Sequence, residues 1–215
     1  MSRATSHAVA HQFDDAEQQF DASVLGMWLF LLTEVMFFGG ILVAYAIYFV
    51  NFTEAFEAAS NHLSLGLGAL NTVVLLSSSF TMARAVHAAQ AESRSSQASW
   101  LLRTIALGVL FLGVKAFEYR SKFVEGLVPG DSFTFEGAQA AQHELFLSFY
   151  FTLTGLHAVH MVIGIGLLTI LWWMARRGRF DSGYFTPVEM SGLYWHFVDL
   201  VWIFLFPMLY LLGRH

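Results

Sequence analysis

Five apolar stretches, each long enough to cross a bilayer, constrain this chain more than any other feature. They run over residues 24–50, 63–88, 100–119, 145–174 and 189–212. A helix needs about 20 apolar residues to span a hydrocarbon core roughly 30 Å thick, and within lipid its backbone groups must bond to one another. The sequence therefore predicts an all-α integral membrane bundle of five transmembrane helices over residues 23–215, behind a polar tail over 1–22. That tail carries Asp14, Asp15, Glu17 and Asp21 with a single Arg3, the opposite of a secretory signal, so it reads as retained.

Composition narrows the function classes. Apolar residues make up 56% of the chain and charged ones 13%, and there is no cysteine, so thiolate metal sites, iron-sulfur clusters and disulfides are excluded. The 11 Lys and Arg form no dense run, which removes the electrostatic basis for nucleic-acid binding. With an odd number of spans the termini face opposite sides. One side holds Arg3, Arg84, Arg94, Arg103, Arg176, Arg177 and Arg179, against Arg120, Lys122 and Arg214 on the other. The positive-inside rule then puts the N-terminus in the cytoplasm and the C-terminus outside.

The breaks between spans carry turn and cap signals. Pro129-Gly130-Asp131 marks a turn in the longest break, and Thr186, Pro187 and Glu189 form a capping-box pattern that predicts the start of the fifth span. Small residues are frequent inside the spans (Gly39 with Gly40, Gly66 with Gly68, Gly155 with Gly164), as a closely packed bundle requires. No internal repeat is visible, and no paired broken helices of the kind an inverted-repeat transporter needs.

Ionisable residues at membrane depth cost about 2.5 kcal/mol or more on insertion scales, so each needs a partner or a purpose. Glu34 lies roughly 13 Å into the first span, counting 1.5 Å per residue. Desolvation there favours a neutral acid, either hydrogen-bonded to a neighbouring helix or acting as a proton-linked or lipid-contacting group. His196 and Asp199 are three apart on one helical face and are expected to satisfy each other. Trp202 is expected in the packing and Trp195 either there or at an interface. His157 and His160, also three apart, read as bundle or lipid contacts. Bis-histidine haem ligation is disfavoured, because His160 lies about 21 Å and His196 about 10 Å from the same side. Glu-x-x-His and His-Glu-x-x-His are both missing from the chain. Lys115 and Glu118 are expected to pair near the outer end of the third span and snorkel toward the interface.

Several segments in order carry a family resemblance. Tyr194-Trp195-His196-Phe197-Val198-Asp199-Leu200-Val201-Trp202-Ile203-Phe204-Leu205-Phe206 resembles the C-terminal signature of cytochrome c oxidase subunit III. Thr33-Glu34-Val35-Met36-Phe37-Phe38, Lys115-Ala116-Phe117-Glu118-Tyr119 and Thr154-Gly155-Leu156-His157-Ala158-Val159-His160 resemble further segments of that family. The resemblance spans Val24 to Leu212. It implies a subunit without haem, copper or catalytic centre of its own, packed directly on oxidase subunit I with subunit II in the same complex. Such a subunit supports proton uptake, protects against turnover-linked inactivation and holds phospholipid in a cleft. Glu34 matches the family's carbodiimide-reactive intramembrane acid. His157, His160, Trp195, His196 and Asp199 match family positions as bundle or lipid contacts.

Many members of the family have seven helices, and this chain corresponds to the last five, which points to a five-helix form of the bacterial cytoplasmic membrane. The resemblance leaves open the electron donor, membership of a larger respiratory supercomplex, and subunit III of a quinol oxidase or a nitric oxide reductase accessory protein as alternatives. A proton-coupled transporter using Glu34, Asp199 and the histidines is the reading from a different class.

Overall fold

The computed structural model describes residues 11–130, 133–135, 137, 139–180 and 184–212. Residues 1–10 of the tail, Asp131 of the expected turn, and Arg3 and Arg214 of the charge comparison lie outside them. Six α-helices follow in order: α1 (Ala16–Asn51), α2 (Thr53–Ser60), α3 (Leu65–Gln90), α4 (Arg94–Val124), α5 (Ala140–Arg176) and α6 (Thr186–Phe206), the last continuing into a π-helical turn over Pro207–Leu211. Five helices are long and apolar enough to cross a membrane, as the sequence predicts.

The helices outrun the apolar stretches that announce them. α1 begins at Ala16, inside the segment read as tail, because the Asp15 side chain caps it by accepting the Gln18 N–H at 2.7 Å. α4 extends to Val124 and α5 starts at Ala140, so both continue as polar turns past the apolar stretches. The short α2 lies in a break expected to be a plain connection; its Ala55, Phe56, Ala59 and Ser60 are buried. α6 does start at Thr186, but Phe185 occupies the cap position and no side chain caps the helix, so the capping box is not made. The Phe185 carbonyl instead accepts the N–H groups of Val188 (2.9 Å) and Glu189 (3.2 Å).

α3 to α6 form an antiparallel bundle, with α3 against α4 and α6, and α5 against α4 and α6. α1 lies along its flank on α6 and α5. It runs in the same direction as α6: Phe30 meets Tyr194 near one end, and the Tyr45 hydroxyl donates to the Met208 carbonyl at 2.7 Å near the other. Enclosure differs sharply, with 50% of the membrane window buried in α6 but only 17% in α1. Sharp turns close α3, α4 and α5 through left-handed residues, Glu92 (φ 56°), Gly126 (φ 68°) and Gly178 (φ 68°). In each case the next residue's N–H returns to the last helical turn.

Candidate functional site

Glu34 on α1 faces His160 on α5 across the seam that the flanking helix makes with the bundle, with Oε2 3.1 Å from Nε2. Both side chains keep some exposure, 18% for Glu34 and 14% for His160. The other ring nitrogen settles how protons are shared. His160 Nδ1 lies 2.8 Å from the Leu156 carbonyl, which can only accept, so Nδ1 carries a hydrogen. The Nε2 contact then needs one further proton, held either by Glu34 as a donating acid or by the ring as an imidazolium facing a carboxylate. The pair therefore shares a single proton and is neutral overall in both forms. Tyr194 fixes the site from α6 by donating its hydroxyl to the His160 carbonyl at 2.9 Å, and Phe38 packs on the imidazole.

The pair opens into a groove of about 340 Å³ between α1, α5 and α6. Met27, Phe30, Ile163 and Leu167 give it apolar walls, and Ser191 adds a hydroxyl. Glu34 therefore ends at a mostly apolar recess open to the surroundings.

The residues of α6 face the hydroxyls of α3. Trp195 Nε1 donates to Ser78 Oγ at 2.9 Å, His196 Nδ1 meets Ser79 Oγ at 2.7 Å, and Trp202 Nε1 donates to Thr72 Oγ1 at 3.1 Å. The expected His196–Asp199 pair is not formed. His196 turns to Ser79, while both Asp199 oxygens are buried without a hydrogen-bond partner, although Ser79 also lies beside that carboxyl. The cause is a competing hydroxyl on α3 that no single-helix spacing reveals. Trp195 is fully buried and belongs to the packing rather than to an interface. It is gripped by two glycines, since a Cβ on Gly108 or on Gly164 would lie 2.9 Å from its ring. Trp202 is fully buried too, as expected. His157 sits in the bundle, away from the seam, between Phe111 and Trp202, with neither ring nitrogen hydrogen-bonded.

Residues 16–214 match the family model described as cytochrome c oxidase subunit III. The chain belongs to the cytochrome c oxidase subunit III family. It is 31% identical over 210 residues to cytochrome c oxidase subunit 3 of Thermostichus vulcanus, covering 97% of this chain and 96% of that one. It is 32% identical over 213 residues to cytochrome bo(3) ubiquinol oxidase subunit 3 of Pseudomonas aeruginosa, covering 98% and 94%. Against quinol oxidase subunit 3 of Bacillus subtilis it is 34% identical over 194 residues, covering 89% and 87%. Its relatives thus include subunits III of both cytochrome c and quinol oxidases. Membership makes it a multi-pass membrane subunit that associates with other subunits of an oxidase complex.

One polar cluster of the chain departs from the sequence expectation. Lys115 and Glu118 do pair, at 2.8 Å, but they do not snorkel: both are buried. α4 runs on to Val124, nine residues past Lys115, so the lysine backbone lies about 14 Å from the helix end at 1.5 Å per residue. Its three N–H donors go to Glu118, to Tyr150 and to Tyr210, the last two at 3.0 Å. Tyr210 in turn donates to Glu118 at 2.8 Å. The sequence signal for these partners was weak, because the two tyrosines lie 35 and 95 residues away from Lys115.

Proposed function

We propose that this chain is the non-redox core subunit III of a respiratory haem-copper terminal oxidase, resting on subunit I and sustaining its proton uptake and lipid environment. The single observation that carries this reading is the Glu34–His160 pair, 3.1 Å apart at the mouth of a mostly apolar groove that suits an acyl chain. Phospholipid seated there would contact Phe30 and Ile163 with its chain and leave Glu34 at its edge.

In this reading haem and copper belong to the partner subunits. His160 commits both ring nitrogens, to Leu156 and Glu34, so it could ligate a haem only by giving up one of those partners. Subunit II shares the complex, and the assembly lies in a bacterial cytoplasmic membrane with the N-terminus of this chain inside, in keeping with its arginine-rich ends. Cytochrome c is the donor in the first reading. The 32% identity to a ubiquinol oxidase subunit supports quinol as the second.

The test is the whole complex purified from its native membrane, wild type beside Glu34→Gln and Glu34→Ala. The expected result is an initial rate near wild type with faster loss of activity during turnover and less retained phospholipid. Unchanged inactivation and lipid content would remove Glu34 from this role, and a stoichiometric Soret band on the isolated chain would end the non-redox reading. Oxidation of reduced cytochrome c against ubiquinol by the same preparation assigns the donor.

A further inference from the structure

Away from the Glu34 groove, the seam between α3 and α4 carries two cations and one indole at the same level. Arg84 of α3 and Arg103 of α4 both approach the ring of Trp100, their guanidinium carbons 5.6 Å and 4.3 Å from its centroid. Both arginines are exposed, and among the described residues neither has an acidic partner. The seam beneath them is fixed: Thr81 and Thr104 hydrogen-bond across it at 2.9 Å, and Thr104 also donates to the Trp100 carbonyl at 3.0 Å. Around the cluster the surface is apolar and open, with Phe80 63% and Leu102 50% exposed.

Depth identifies the surroundings. Arg84 lies six residues before the end of α3 and Arg103 nine residues after the start of α4. Those counts put them about 9 Å and 14 Å from the polar turn at Ala91–Ser93, at 1.5 Å per residue. Such a level is the boundary between acyl chains and headgroups, where Trp is enriched and where a guanidinium reaches outward. Two like charges held against one ring with no carboxylate nearby repel each other until an anion sits between them, and a guanidinium fork matches two phosphate oxygens.

We propose that Arg84, Trp100 and Arg103 form a binding site for an anionic phospholipid, its phosphodiester held between the two guanidiniums and its chains lying on Phe80 and Leu102. Net negative charge sets the selectivity, because the quaternary ammonium of a zwitterionic lipid would return a third cation to the site. The site is separate from the Glu34 groove and does not rest on the role proposed for it.

The oxidase complex, stripped of lipid in detergent and titrated with phosphatidylglycerol or phosphatidylcholine, tests this by counting retained lipid with native mass spectrometry. Wild type is expected to retain one phosphatidylglycerol that Arg84→Gln/Arg103→Gln does not, with half-saturation rising about 25-fold for two charges at about a factor of five each. Arg84→Lys/Arg103→Lys keeps the charge and is expected to hold the lipid with intermediate affinity. Should the glutamine pair fail to assemble, Trp100→Leu, which leaves both charges and removes their platform, is expected to weaken retention several-fold. Equal retention in wild type and variants overturns the proposal, as does equal binding of phosphatidylcholine. Inorganic phosphate displacing the lipid at millimolar concentration would reduce the site to a simple anion site. A carboxylate of another subunit found on both guanidiniums in the assembled complex would make it a protein contact.

Discussion

Glu34–His160 and Lys115–Glu118 are both acid-base pairs at membrane depth, yet their settings are opposite. Lys115 and Glu118 have side chains 4% and 1% exposed, every ammonium N–H has an acceptor, and Tyr210 bonds back to the acid. Glu34 uses only Oε2 on His160, and no described residue gives Oε1 a hydrogen bond. A closed, saturated pair has nothing left to offer a ligand and can only hold helices together. An open one with an unspent oxygen can exchange a proton or meet a lipid. The difference comes from the helices that supply them: α4, α5 and the turn after α6 surround Lys115, whereas Glu34 sits on α1, the least enclosed helix.

The sharpest way to break this comparison is to unpair the closed site. Lys115→Met leaves Glu118 as a buried charge without its ion partner and is expected to cost about 3–5 kcal/mol, while Lys115→Met/Glu118→Met recovers most of that. Thermal unfolding of the subunit within the purified complex reads both. A single variant as stable as wild type would mean that the network is not structural. Next in size is enclosure without charge. Gly164→Ala drives a methyl into the Trp195 ring and is expected to cost about 1–3 kcal/mol, and Gly164→Ala/Trp195→Phe to restore part of it; additive losses would deny the contact.

The open site should be softer. Glu34→Ala strands His160 Nε2 and is expected to cost about 1–2 kcal/mol, whereas Glu34→Gln supplies an amide N–H in place of the acid and costs less, measured in the same unfolding assay. A larger loss than that of Lys115→Met would invert the contrast between the two sites.

The smallest effect belongs to a third cluster outside the spans, where the His62 ring lies edge-to-face with His143, and where Lys122 donates to the His62 carbonyl and to Glu125. Partial burial, then His143 and Lys122, hold the His62 imidazole below its ordinary value of 6.5, and Glu125 opposes them. The unfolded chain therefore binds more protons just below that value. The stabilisation is complete above pH 6.5 and declines as pH falls toward the lowered folded value. Unfolding midpoints between pH 5 and 8 should show this gentle slope in wild type and a flatter one in His62→Gln. An unchanged slope would detach His62 from it.

Much of the fold was legible because hydropathy counts residues along one helix, which is how lipid meets a span. The five spans, the Lys115–Glu118 pair, buried Trp202 and a neighbour for Glu34 on another helix follow from that local reading. What the sequence concealed lies between helices or past the apolar edge. The polar turns that carry α4 to Val124 place Lys115 deeper than its stretch suggests, and amphipathic α2 has too few residues to show a span. Ser79 takes His196 from Asp199 because a hydroxyl on α3 is nearer in space than a carboxylate three residues along. The Trp195 clamp needed the register of α4 against α5, which brings Gly108 and Gly164 against one ring.

That clamp also governs the order in which this part of the chain can change. With the tryptophan in place, a methyl at position 108 or 164 meets the ring, so each glycine is locked by a residue distant in sequence. A smaller residue at 195 must come first and opens a void that only a later, larger side chain at 108 or 164 can fill. The three positions can therefore drift only by a route that passes through a poorly packed intermediate, and a library that randomises them together should recover combinations unreachable by single steps.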